Sequence, residues 1–263
     1  MHVDTETIKR LAELNLQFYQ TLARPFAATR QRLQPGVKRL LSVLQPGWQL
    51  LDLGCGNGEL WRALKRAGHS GSYVGLDFSP EMLRAAAEAD PAERVLTENA
   101  RPVQPCAPQT APPATIWLQA DLTAPDWELP LADRRFDAVL AFAVLHHLPG
   151  KHLRLQALKK VRRLLAPGGR FIHSEWQFLN SPRLRGRILP WETLGLTGSQ
   201  VDTGDYLLDW RHGGYGLRYV HHFSEAELAQ LAAESGFAVI ETFFSDGEGG
   251  KLGLYQTWER RST

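Results

Sequence analysis

Leu50-Leu51-Asp52-Leu53-Gly54-Cys55-Gly56-Asn57-Gly58 decides the fold. An apolar run carrying an acid is followed by three glycines at alternate positions. This predicts a buried parallel strand that breaks into a tight loop and enters a helix over about 59–67. Alternate glycines let the backbone turn sharply and approach a ligand closely. The helix amino end beyond them offers N–H groups and the positive end of a dipole. A dinucleotide loop needs glycine at its first, third and sixth positions. Here the sixth position is Glu59, an anion where a pyrophosphate would sit, and no Gly-Lys-Ser/Thr follows. A zwitterionic ligand suits this loop better than a phosphate.

Working outward, Ser72 to Asp77 reads as the second strand. Asp77 stands about 20 residues past the loop, where an acid accepts ribose hydroxyls in nucleotide sites. Ser79-Pro80-Glu81 caps a helix to about Ala89, with Met82 in its first turn, where a lone methionine reads as core. Thr115 to Leu122 is the third strand and its end, with Asp121 and Leu122 at the tip. Phe136 to Ala143 is the fourth, followed by His146 and His147. Leu153 to Leu165 is an amphipathic helix stopped by Pro167-Gly168-Gly169, and Arg170 to Trp176 is the fifth strand. A capped helix from Ser224 and two closing strands, 237–244 and 252–258, complete seven strands. Strands alternating with helices predict an α/β, doubly wound, mostly parallel sheet, with ligands at the carboxyl ends of its strands.

Three segments fall outside this alternation. Residues 1–45 carry helical patterning at 5–20, at 25–33 and at 37–44, and are expected to fold as a helical lid. Residues 90–113 hold six prolines with few large apolar residues and read as a surface loop. Residues 177–222 mix arginine, histidine, tryptophan and tyrosine and read as an insert ahead of the last strands. Arginine with aromatics suits base stacking and phosphate contact, or a lid of rings with solvated charges.

The 263 residues, 43% hydrophobic and 22% charged, suffice for one domain with insertions. A net charge of +2 excludes a strong global field for nucleic acid, so such binding needs a local patch. Cys55 and Cys106 lack metal spacing, so neither a metal nor a structural disulfide is expected and a reducing cytoplasm is the default. No apolar run reaches the roughly 20 residues of a membrane helix.

Asp-x-Gly-x-Gly-x-Gly at Asp52–Gly58, the segment after the fourth strand and Leu165-Ala166-Pro167-Gly168-Gly169 together resemble the class I S-adenosylmethionine (SAM) methyltransferases. The resemblance implies a Rossmann-like fold over residues 1–263 as a single domain. It also implies SAM as cofactor, bound by Asp52, Gly54, Gly56, Gly58, Asp77, Phe78, Met82, Asp121, Leu122 and Ala141. A narrower likeness is carried by Tyr19 with Phe26-x-x-Thr29-Arg30, by Asp205-x-x-x-x-Trp210, and by Arg218-Tyr219-x-His221-x-Phe223-x-x-x-Glu227-Leu228. These resemble motifs of the tRNA wobble-uridine carboxymethyl methyltransferases. Val220 stands where that family has a second tyrosine, and Gly253-Leu254-Tyr255 where it has Asn-Trp-Tyr. The likeness implies tRNA as acceptor and adds Tyr19 and Arg30 to the cofactor site.

The chemistry divides on the acceptor. A carboxylate is already ionised and needs only a cation to place it, for which Arg30, Arg218 and His221 are candidates. An amine or hydroxyl, as in a small-molecule acceptor, needs a base such as His146, His147 or His221. Arg30 is equally a partner for the SAM carboxylate or a plain surface cation. A SAM-binding protein without catalysis is the third reading.

Overall fold

The computed structural model describes residues 3–28, 32–89, 94–96 and 115–261. The chain opens with α1 (Thr5–Ala28), which is kinked at Leu22. Pro25 lies just beyond and cannot donate to the carbonyl four residues back, so two helical pieces meet there at an angle. α2 (Pro35–Leu41) follows, with Pro35 serving as its first residue rather than as a break between helices.

β1 (Leu50–Leu53) is buried on both faces. Leu51 and Leu53 pack into one core with Val139, Leu158 and Leu231, while Leu50 packs into another with Val37, Leu60 and Leu83. α3 (Glu59–Arg66), β2 (Tyr73–Asp77), α4 (Pro80–Glu88) and β3 (Arg94–Leu96) come next. They are followed by β4 (Thr115–Gln119), β5 (Phe136–Phe142), α5 (Lys151–Leu164) and β6 (Leu165–Trp176). After an insert, α7 (Glu225–Ser235), β10 (Phe237–Ser245) and β11 (Gly253–Arg260) close the fold.

The sheet order is β10-β11-β6-β5-β1-β2-β4-β3. β3, β4, β2, β1, β5 and β6 run parallel, and β11 and β10 are antiparallel. All seven expected strands form. The eighth, β3, is a short parallel edge strand inside the stretch read as loop: Arg94-Val95-Leu96 pairs with Ile116-Trp117-Leu118 of β4. Three residues between prolines were too few to register as a strand in the sequence.

The insert has regular elements of its own. α6 (Pro182–Arg185) precedes an antiparallel sheet of β7 (Ile188–Leu189), β8 (Asp205–Trp210) and β9 (Gly216–His221). Leu11 of α1 packs with Leu196, Val201 and Tyr219 of the insert. Phe18 and Leu22 pack with Met82 and Trp210. The amino-terminal helix therefore lies between the insert and the carboxyl ends of the main sheet.

Candidate functional site

The strand carboxyl ends converge on one cavity of about 570 Å³. Its floor is the glycine loop. Gly54, Gly56 and Gly58 hold φ of +65°, +55° and +75°, where a side chain is strained. A Cβ at Gly56 would meet nothing within 4 Å, so the loop faces open space there. A Cβ at Gly58 would lie 2.9 Å from Trp117. Gly56 thus faces the cavity, whereas Gly58 shapes the turn into α3 and is not in the wall.

Asp77, at the end of β2, accepts the Gly56 N–H at 2.9 Å and the Ser79 N–H at 2.9 Å. Burial raises its carboxyl, and the backbone donors of Ser79, Gly56 and Phe78 pull it back. Asp52 lies on the same floor, held by the Tyr73 hydroxyl at 2.5 Å. Burial, opposed by Tyr73 and aided by Asp77, pushes Asp52 up to about 7. Ser79 caps α4 by accepting the Met82 N–H at 3.3 Å. Phe78, Met82, Asp121 and Leu122 line one side of the cavity, and Asp121 is oriented by the Thr123 N–H at 2.8 Å.

The far wall comes from β5, β6 and α1. Ala143 lines it at φ +60°, an unusual backbone for alanine, tied by its N–H to the Ser174 carbonyl at 3.0 Å. Ala141 lies two residues earlier, wholly buried in the sheet core, and Phe142 lines the cavity in its place. Strand alternation sends neighbours to opposite faces.

His146 and His147 sit in the turn after β5 and both line the cavity. Tyr19 does too, with its hydroxyl 2.7 Å from His147 Nε2 and its ring edge-on to Phe78. Asn15, which the sequence did not flag, ties α1 to β9 and to the turn after β5. It donates to the carbonyls of Tyr219 at 3.1 Å and His147 at 3.3 Å, and accepts the Tyr219 N–H at 2.8 Å.

Arg218 of β9 is buried and lines the cavity. Its guanidinium lies 4.6 Å from the Trp176 ring centroid and 5.5 Å from those of Phe18 and Trp210. His221, three residues on, faces the other way and is not among the described lining residues. Its Nδ1 is 2.6 Å from Asp205 and its Nε2 2.9 Å from Glu227. Burial alone would lower this histidine, but the two carboxylates hold it above its ordinary value. Arg30 lies outside the described residues.

Glu175 and Trp176 at the end of β6 also line the cavity, and neither stands out in the sequence, where the strand also carries His173 and Ser174. The rim is closed by Asp246, which accepts the Gly36 N–H of α2 at 3.0 Å and the Tyr255 hydroxyl at 2.5 Å. Among the described residues no group of histidine, cysteine and acidic side chains could hold a metal ion. Nor is any helix among them long and apolar enough to cross a membrane.

The arrangement offers an open glycine loop, two buried carboxylates and an apolar slot at one end. At the other it offers a buried cation among rings beside two histidines. This fits an extended nucleoside with a charged amino-acid tail at the first end and a second, anionic reactant at the other.

Comparison with known proteins agrees. A family described as methyltransferase domain matches residues 26–242. The tRNA (carboxymethyluridine(34)-5-O)-methyltransferase of Schizosaccharomyces pombe is 23% identical over 239 residues, which cover 86% of this chain and 89% of that protein. A SAM-dependent methyltransferase structure from Methanosarcina mazei matches with a TM-score of 0.62 at 23% identity, over 88% of this chain and 99% of that one. The magnesium protoporphyrin IX methyltransferase of Synechocystis PCC 6803, with bound SAH, matches with a TM-score of 0.57 at 15% identity, over 93% of this chain and 97% of that one. The last two likenesses are of fold.

Proposed function

The chain belongs to the methyltransferase-domain family, and from that premise we propose that it transfers the methyl group of SAM to a carboxylate carried by a modified wobble uridine of tRNA. When bound, SAM supplies an electrophilic methyl on a sulfonium. In this reading the Gly54–Gly58 loop passes under the amino-acid end and Asp77 accepts the ribose hydroxyls. Asp121 accepts the adenine amino group, and Met82, Phe78 and Leu122 cover its ring. Tyr19 closes the cavity from the lid.

The acceptor half rests on one observation: Arg218, a buried guanidinium stacked on Trp176, lines the cavity beside His146 and His147. Guanidinium is the side chain suited to holding a planar carboxylate in one orientation. Around it Phe18, Trp176 and Trp210 exclude water, which strips hydration from the nucleophilic oxygen and fixes its line of approach. A carboxylate needs no base, so positioning and desolvation are the protein's contribution. The likeness to the fission-yeast enzyme over most of both chains supports RNA as the carrier of that carboxylate. The basic and aromatic insert supports it too, and a cytoplasmic location accords with it.

The test is transfer from methyl-labelled SAM to total tRNA, before and after mild alkaline hydrolysis of existing esters. Label that enters RNA only after hydrolysis, and leaves as methanol on a second hydrolysis, supports the reading. Absence of label from hydrolysed tRNA, with turnover on a small hydroxyl or amine acceptor, overturns it.

A further inference from the structure

Glu175 lines the cavity, yet its side chain is wholly buried and joins two histidines. Oε2 lies 3.0 Å from His146 Nδ1, and Oε1 lies 3.0 Å from His173 Nδ1. The Trp176 N–H points at His146 Nδ1 from 3.4 Å, a weak contact that favours a lone pair on that nitrogen. In the sheet Glu175 sits beside Leu254 of β11, and His173 beside Gln256 and Ala141, so no charge reaches the group along the strands. Among the described residues Arg154 is the cation that acts on Glu175, and it is engaged with Asp202 at 3.1 Å and lies 3.7 Å from Glu227, itself an anion that acts on Glu175.

We propose that Glu175 is held as the neutral acid between the two imidazoles, so that His146 carries its proton on Nε2 and meets the acceptor as a hydrogen-bond donor and not as a base. The proton arrangement accounts for both carboxyl contacts. His173 donates Nδ1–H to Oε1, and Glu175 donates Oε2–H to His146 Nδ1. The opposite ring nitrogen of His146, an imidazole in the cavity wall, then bears the remaining hydrogen. Burial supports this, pushing Glu175 well above the usual carboxylate range and His173 down to about 3. An ionised Glu175 would instead be a carboxylate removed from water without a full cation against it. It would also turn His146 into the base that a hydroxyl or amine needs.

The proposal rests on the carboxylate acceptor and deepens it. An acceptor oxygen that arrives ionised bonds to the methyl carbon as the carbon–sulfur bond breaks, and the electron pair of that bond stays on sulfur. No proton moves, so a donor at His146 orients the carboxylate beside Arg218, where a base would be idle.

The test separates this from the function itself. Histidine nitrogen NMR on the wild-type protein needs no acceptor. His146 is expected as the Nε2–H tautomer, unchanged from pH 6 to 9, and a Nδ1–H tautomer or an imidazolium titrating in that range overturns the proposal. Glu175→Gln mimics the neutral acid, its amide donating to His146 and its carbonyl accepting from His173. It should keep the tautomer and add no new rising limb to the pH profile. Should Glu175→Gln not fold, the wild-type spectrum alone decides. A loss of about 100-fold or more in folded Glu175→Gln, the range of a lost general base, overturns the positioning role while leaving the transfer to tRNA standing. If tRNA is inert but the tautomer is Nε2–H, the acceptor reading fails and the donor role remains for another ionised acceptor.

Discussion

The Gly56 N–H donates to Asp77 Oδ2 over 2.9 Å, joining the glycine loop of β1 to the acid that ends β2. One carboxylate thus fixes the loop that faces the cavity while itself lining it. Asp77→Asn puts an amide where both oxygens accept from backbone, leaving one N–H facing an NH₂. Losing a charged hydrogen bond of this kind costs about 1.5–3 kcal/mol. SAH affinity is therefore expected to fall about 10- to 100-fold by calorimetry. An unchanged affinity would remove Asp77 from the cofactor's site.

Two glycines of one loop should separate binding from folding. Gly56→Ala meets no protein atom within 4 Å but sits at φ +55°, so its stability cost is the left-handed strain of about 1–2 kcal/mol. Its methyl projects into the cavity and should weaken SAH binding at least tenfold. Gly58→Ala adds to the same strain a contact 2.9 Å from Trp117 and 3.1 Å from Ala86. It should therefore lower the denaturation midpoint more while costing less in binding by the molecules that stay folded. Equal ratios of the two effects would refute this division.

The sheet and the glycine-loop end of the cavity were legible because glycine spacing, strand-terminal acids and caps are local signals. Asp77, Asp121 and His146 each follow a strand whose end the hydrophobic run already marks. Positions that depend on facing were not legible. Arg218 and His221 are adjacent in a motif but three residues apart on a strand, so alternation sends one to the cavity and the other to Asp205 and Glu227. Asn15 and Glu175 act through partners 204 and 29 residues away, which no spacing within the sequence reveals.

Asn15 holds α1 to β9 with hydrogen bonds in both directions, and its loss strands a buried Tyr219 N–H. An unsatisfied buried donor costs about 1–3 kcal/mol. Asn15→Ala is expected to lose about that much in urea denaturation, with faster amide exchange along α1 than in β1. A variant with normal exchange in α1 would mean that apolar packing of Leu11 and Phe18 alone secures the helix.

Asp52 gives a stability that depends on pH with a definite sign. Its carboxyl stands at about 7 in the fold against 3.8 as the ordinary value, mainly through burial. The folded chain therefore binds more protons than the unfolded one between about pH 4 and pH 7, and stability falls as pH rises through that window. The full loss is present above pH 7 and is at most on the order of 4 kcal/mol. Asp52→Asn still accepts from Tyr73 and cannot ionise. It should match the wild type near pH 4 and exceed it at pH 8 in urea midpoint. A variant less stable than wild type at pH 8 would place the charged form of Asp52 among favourable partners.

Arg218 separates acceptor from cofactor. Arg218→Lys keeps a positive charge but loses the flat face that lies 4.6 Å from Trp176 and the fork that grips both oxygens of a carboxylate. The glycine loop and Asp77 are on other elements, so SAH affinity should stay within about 3-fold. The KM for hydrolysed tRNA should rise at least tenfold, the effect of losing about 1.4 kcal/mol of positioning. Should the lysine variant instead lose SAH binding and keep its KM, Arg218 would belong to the cofactor's amino-acid end, and the acceptor carboxylate would have to be held by the histidines alone.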